Sequence, residues 1–261
     1  MTRVLSALVL IPLVFGTVWF LPPIATLVLA SIAALLALSE YAAITAALDT
    51  HIPRSVCAAA VLAGCVATGI PGLPVEIVLM TALILVGALA VAAGQPGPAI
   101  LRDGAAALLP VLYIGLPLGA FAAVRAISGR EAVLLLALVI MVSDSAQYYT
   151  GRALGRRPLA PMISPKKTLE GAIGGMVFGT AAMIVGGRWV FAGTTLPVLA
   201  LLGATIAALG IVGDLFESLL KRSAGVKDSS QLIPGHGGVL DRIDSWLFAA
   251  PVYYVFVRYL S

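Results

Sequence analysis

The chain has 261 residues, 61% hydrophobic and only 11% charged, with a mean hydropathy of +1.07 and a formal net charge of +4. Charged residues approach a quarter of an ordinary soluble domain, so this composition excludes one and leaves an integral membrane protein. No nucleic acid is expected as a partner.

Apolar runs of about 20 residues, enough to cross roughly 30 Å of hydrocarbon, recur along the whole length. Lipid offers the backbone no hydrogen bonds, so such runs are helices. The predicted spans are residues 4–20, 24–46, 53–70, 76–93, 104–127, 131–150, 171–190, 196–220 and 244–260. The first run has Arg3 before it and Pro22-Pro23 after it, as a signal peptide would. It lacks a small-residue cleavage site before the next span and reads as a retained helix. The expected fold is all-α and polytopic, about nine transmembrane helices in one membrane-embedded domain over 1–261. Residues 1–127 would serve as scaffold and as contact to a second copy, and 128–261 would carry the chemistry. Cys57 and Cys65, eight apart in one apolar run, read as small packing residues.

Lys and Arg set the orientation, because cytoplasmic loops carry their excess. With the N-terminus inside, the cytoplasmic segments hold Arg3, Arg54, Arg102, Arg152, Arg156, Arg157, Lys166, Lys167, Lys221, Arg222, Lys227 and Arg242. The opposite face keeps Arg125, Arg130, Arg188 and Arg258. The two polar loops, about 151–170 and 221–243, therefore face the cytoplasm, where their cations suit anionic headgroups and nucleotide phosphates.

Seven of the twelve acids, Asp144, Glu170, Asp214, Glu217, Asp228, Asp241 and Asp244, lie in or beside those loops. An ionisable group within a span is costly and usually faces a polar cavity. Asp144, in "VSDSAQYYTGR", reads equally as a metal ligand or as the partner of an arginine such as Arg152. In "GDLFESLLKR", helical spacing puts Asp214, Glu217, Ser218 and Lys221 on one face. The same spacing recurs in "DRIDSW" with Asp241, Asp244 and Ser245. Two helices presenting carboxylates at one depth would make a hard-oxygen site suited to Mg²⁺. Lys221, Arg222 and Arg242 could instead neutralise the acids as ion pairs.

The stretch "PGHGG" permits tight turns, and its N–H groups could cradle phosphate. His236 would then bind phosphate or fix the loop. In "SPKKTLEG", Ser164, Lys166, Lys167 and Thr168 offer donors to phosphate oxygens around a turn stiffened by Pro165. The spacing is not that of a P-loop.

These segments resemble a known family. "SLLKRSAGVKDSSQLIPGHGGVLDRID", Ser218 to Asp244, looks like the signature of the phosphatidate cytidylyltransferases, or CDP-diacylglycerol synthases. "SPKKTLEG" looks like that family's second segment. The resemblance implies a reaction of CTP with phosphatidate to give CDP-diacylglycerol and pyrophosphate at the cytoplasmic face of the inner membrane. It implies Mg²⁺, alone or with a monovalent cation such as K⁺, and a homodimer among membrane lipids. It assigns the metal to Asp214 and Asp241, with Asp144 as a further candidate; together with the helix-face reading, catalysis is expected of Asp214, Asp241, Lys167 and Asp244. Substrate contacts would come from Ser164, Thr168, Lys221, Arg222, Lys227, Asp228, His236, Gly237 and Arg242.

Two other readings compete. Intramembrane carboxylates beside Gly and Pro breaks also build ion-coupled transporters, but here the acids gather toward one face, with no inverted repeat. A CDP-alcohol phosphotransferase would carry Asp-Gly-x-x-Ala-Arg and a paired Asp-x-x-x-Asp, whereas this chain has Asp-x-x-Asp.

Overall fold

Proline, glycine and short polar breaks divide the apolar sequence into helices in a computed structural model that describes residues 2–94, 96–233, 235 and 237–260. In order these are α1 (Thr2–Phe20), α2 (Pro23–Ala47), α3 (Arg54–Gly69), α4 (Val75–Ala93), α5 (Ala99–Pro110) and α6 (Leu116–Leu154). After them come α7 (Leu169–Val190), α8 (Leu196–Ser223) and α9 (Leu240–Tyr259). Pro23 opens α2, where its missing N–H costs nothing. Gly94 closes α4 in the left-handed conformation, with φ of 63°.

Between α5 and α6 runs a π-helical turn, Val111–Gly115, closed by the Leu116 N–H on the Val111 carbonyl. It follows Pro110, which has no N–H to continue the regular ladder. Ala99–Leu154 counts 56 residues, about 84 Å of helix at 1.5 Å per residue, far more than one crossing needs. Gly129, with φ of 84° and ψ of −176°, breaks it between the two spans expected at 104–127 and 131–150. Only glycine accepts such a φ without strain.

Among the described residues, five helices are long and apolar enough to cross a membrane: Pro23–Ala47, Val75–Ala93, Ala99–Leu154, Leu169–Val190 and Leu196–Ser223. α3 is apolar but shorter. In α4 only Ala82 and Val86 are buried, while Met80, Leu83 and Ile84 are 65%, 59% and 67% exposed. A surface that apolar requires lipid around it. The chain is a helical integral membrane protein.

One element departs from the all-helical expectation. Within the loop expected at 151–170, β1 (Pro158–Ala160) and β2 (Ser164–Thr168) form an antiparallel hairpin, pairing Pro158 with Thr168 and Ala160 with Ser164 across an irregular register. Proline is tolerated there because each strand of a two-stranded sheet has an open edge. "SPKKT" is thus a strand rather than a turn.

The chain divides into two compact units. The first comprises Met1–Ala126 with Leu220–Arg242. Here α3 packs on α2, α4 and the π-helical turn, around buried Tyr41, Val61 and Ile114. The Tyr41 hydroxyl donates to the Ala106 carbonyl at 3.0 Å. The second unit comprises Ile127–Leu219 with Ile243–Ser261. Its α7 turns a glycine face to α6: a Cβ on Gly171 would stand 2.7 Å from the Gln147 carbonyl oxygen, and one on Gly175 3.0 Å from that of Ser143. Small residues at this spacing let helix backbones approach closely. The Tyr253 hydroxyl of α9 donates to the Ala132 carbonyl of α6 at 2.8 Å.

Candidate active site

Polar side chains gather in each unit, and each gathering is built differently. In the second unit the hairpin delivers Lys167 to Asp214 of α8, and the two form an ion pair. The Ser218 hydroxyl, one turn on, reaches the other Asp214 oxygen at 3.4 Å. Asp144 of α6 and Asp244 of α9 lie within electrostatic reach of both Asp214 and Lys167. The geometry depends on two close approaches. The glycine face of α7 draws α6 in, and a Cβ on Gly213 would stand 2.5 Å from the Asp244 carbonyl oxygen, so glycine there lets α8 and α9 touch at the carboxylates.

The hairpin is held at its base. The Glu170 carboxylate accepts from the Arg156 and Arg157 N–H groups at 3.0 and 3.2 Å, and the Leu169 N–H donates to the Arg157 carbonyl at 2.9 Å. Thr168 caps α7, its hydroxyl oxygen accepting from the Gly171 N–H at 3.1 Å. That bond leaves the Thr168 proton able to donate. Ser164 opens the strand. Arg152 extends to the Tyr148 hydroxyl at 3.4 Å, so the charge near Asp144 is that of Lys167.

In the first unit the centre is Asp241, in the first turn of α9. One carboxylate oxygen pairs with the Lys221 ammonium. The other accepts from the Ser229 N–H at 3.0 Å, the Ser229 hydroxyl at 2.9 Å and the Gly238 N–H at 2.8 Å. Burial alone would raise the Asp241 carboxyl, but the Lys221 ammonium and the N–H groups of Gly238 and Ser229 outweigh it and bring it down to about 2. Gly237 has φ of 82°, and a Cβ there would stand 2.6 Å from the Asp241 carboxylate.

Glycine-rich backbone was expected to cradle phosphate. The Gly238 N–H is instead committed to Asp241, because that carboxylate follows three residues later and caps the turn. Arg222 bonds the Val226 carbonyl at 3.0 Å, and Lys227, Asp228 and Arg242 are exposed. His236 lies outside the described residues.

Sequence reasoning missed Glu40. It sits in the second half of α2, 3% exposed, and takes hydrogen bonds from Ser229, Ser230, Val239 and Leu240. The available signal was an acid inside an otherwise apolar span.

Among the described residues, no three His, Cys, Asp or Glu gather closely enough to hold a metal by themselves. The donors nonetheless suit Mg²⁺, which commonly takes one or two carboxylates and completes its shell with water and substrate phosphates. Asp214, with Asp144 and Asp244 within its electrostatic reach, supplies hard oxygens beside the Lys167 ammonium.

The cytidylyltransferase family profile matches residues 1–260. The chain belongs to that family. A phosphatidate cytidylyltransferase of Helicobacter pylori J99 is 38% identical over 190 residues, 73% of this chain and 68% of that protein. One of Staphylococcus haemolyticus is 40% identical over 150 residues, 58% of this chain and 57% of that protein. YnbB of Escherichia coli K12, an uncharacterised protein, is 46% identical over 131 residues, 50% of this chain and 44% of its own length. The chain thus spans between about half and two thirds of these cytidylyltransferase relatives.

Proposed function

We propose that this protein transfers the cytidylyl group of CTP to phosphatidate, giving CDP-diacylglycerol and pyrophosphate. The observation carrying this reading is the second unit's centre, where Lys167 pairs with Asp214 within electrostatic reach of Asp144 and Asp244, in a chain of the cytidylyltransferase family. Relatives named phosphatidate cytidylyltransferase supply the substrates.

Both reactants are anions, and catalysis is the work of bringing them together. A phosphatidate phosphate oxygen would attack the α-phosphorus of CTP, forming the new P–O bond as the bond to the β-phosphate oxygen breaks. No strong general base is required, because a phosphate monoester is already ionised near pH 7. Lys167, carried on the hairpin and paired with Asp214, would exchange that bond for one to a phosphate oxygen. Asp214, with either Asp144 or Asp244, would hold Mg²⁺ in the second unit, the rest of its shell coming from water and substrate phosphate, and Asp241 is a further candidate ligand in the first. Bound there, the ion would offset charge on the triphosphate and on the departing pyrophosphate. Membrane insertion holds the lipid near the site and raises its effective concentration. The proposal includes nine crossings, both polar loops facing the cytoplasm from the inner membrane, and a homodimer.

The test is purified protein with phosphatidate and each of the four nucleoside triphosphates, following lipid product by mass and pyrophosphate release. Of the four, CTP should give product; Asp214→Asn should lose it while still inserting and purifying normally, and Asp241→Asn should lose it with a lowered melting temperature, since its carboxylate is the buried partner of Lys221. Near-normal CDP-diacylglycerol formation by either variant would remove that aspartate from the site. A transporter would release no pyrophosphate.

A further inference from the structure

We propose that Glu40 is a positioning residue that fixes Asp241 through a hydroxyl the two carboxylates share. The role rests on the cytidylyl-transfer reading only in so far as Asp241 serves that reaction.

Glu40 lies in α2, some 190 residues from its partners. Its Oε1 accepts from the Ser230 hydroxyl at 2.6 Å and the Val239 N–H at 2.9 Å. Its Oε2 accepts from the Leu240 N–H at 2.8 Å and the Ser229 hydroxyl at 2.9 Å. Leu240 is the first residue of α9. Glu40 therefore does from a distant helix what an N-cap side chain does locally: it satisfies donors left open at a helix start and places negative charge at the positive end of the dipole. It also ties the 229–239 loop at both ends. Gly238 passes so close that a Cβ there would overlap both Glu40 Oε2 and Ser229 Oγ.

The Ser229 hydroxyl stands 2.9 Å from Glu40 Oε2 and 2.9 Å from Asp241 Oδ2. A hydroxyl has one proton to donate, so these two acceptors compete for it. Asp241 keeps two N–H bonds and the Lys221 ammonium when the proton turns to Glu40. Glu40 keeps two N–H bonds and the Ser230 hydroxyl when it turns to Asp241. The hydroxyl can thus follow charge: when Asp241 engages a cation, the proton is free to move to Glu40 with no backbone shift. Outer partners of this kind commonly tune a ligand carboxylate by about 10–100-fold in affinity or activity.

The experiment uses the full chain in lipid nanodiscs, with Glu40→Gln, Ser229→Ala and the double variant. Amide hydrogen exchange at Val239 and Leu240 reads the clamp without any turnover. It should accelerate about tenfold in Glu40→Gln, as expected when local opening loses a charge-assisted hydrogen bond, and stay at the wild-type rate in Ser229→Ala, with the amides of α4 as the internal control. The Mg²⁺ concentration for half-maximal CDP-diacylglycerol formation should rise about tenfold in each single variant. In the double variant it should rise little further, because both changes interrupt one relay. Unchanged amide exchange in Glu40→Gln, or additive effects on the Mg²⁺ response, would overturn the proposal. If Glu40→Gln does not yield a monodisperse protein, an unchanged Mg²⁺ response in Ser229→Ala overturns it alone, and a raised one upholds it. A wild-type protein that forms no CDP-diacylglycerol would sink the reaction assigned above, while amide exchange would still decide whether Glu40 is the clamp.

Discussion

The two polar centres contain the same kinds of group and differ in how completely those groups are satisfied. Asp241 in the first unit is enclosed: its side chain is 6% exposed, its lysine 10%, and every hydrogen bond it accepts comes from a donor fixed by the 221–240 segment. Asp214 in the second unit is 33% exposed, shares its lysine's field with Asp144 and Asp244, and among the described residues accepts a long bond from Ser218 besides that of the ammonium. A buried, saturated carboxylate is part of the architecture as well as a candidate ligand. A half-open one, short of positive charge, is where an incoming cation gains most.

Removing each lysine should expose that contrast most strongly. Lys221→Met leaves the Asp241 charge buried without its counter-ion and should cost about 3 kcal/mol of stability, read as a lower melting temperature in detergent. Lys167→Met leaves an Asp214 that water can reach, so its stability loss should stay below about 1 kcal/mol. Its turnover should fall by about 100-fold, as expected when a charge-stabilising donor is lost. Equal stability losses in the two variants would break the distinction.

Glycine sharpens the same point at the next level. Gly238→Ala drives a methyl group into Ser229 and Glu40, where neither the helix start nor the loop can yield, and should cost about 3 kcal/mol. Gly104→Ala, in α5, meets open space and should stabilise by about 0.5 kcal/mol through lower chain entropy. A neutral Gly238→Ala would mean the loop is not held as tightly as its hydrogen bonds indicate.

The legible part of this architecture is what sequence-local physics decides. Hydropathy placed most helix ends within a few residues, because a span needs a run of fixed length, and it left 128–130 between two spans, where Gly129 breaks the helix. The interruption at Pro110 inside the span expected at 104–127 it did not show. The family segments brought Lys167, Asp214 and Asp241 into view, since charged residues are scarce in such a chain. The hairpin escaped because its strands are three and five residues long and contain proline, which gives no alternating pattern. Glu40 escaped because all its partners are remote in sequence: "LSEYA" gives no sign that residues 229–240 will close over it. The rule that an acid inside a span has a task applies to Glu40 as well as to Asp144 and Asp214, and its burial at 3% is where that rule had most to say.

Acid offers the finest test of the enclosed centre. The Asp241 carboxyl is brought down from an ordinary value of 3.8 to about 2, so its contribution to stability is complete above the unfolded value, near pH 4, and disappears as pH falls through about 2. A tenfold change in proton affinity corresponds to about 1.4 kcal/mol, which makes the whole contribution about 2 kcal/mol. Stability should therefore be flat in this contribution around neutral pH and decline steeply only below pH 4, measured as melting temperature against pH. In Lys221→Met the leading favourable contact is gone while burial still opposes the charged form, so that acid-side decline should shrink or change sign. An unaltered pH profile in that variant would show that the three donors from Ser229 and Gly238, rather than the ammonium, hold the carboxylate charged. The first unit would then keep its helix start fixed by hydrogen bonds alone, leaving Lys221 able to leave Asp241 for a substrate phosphate.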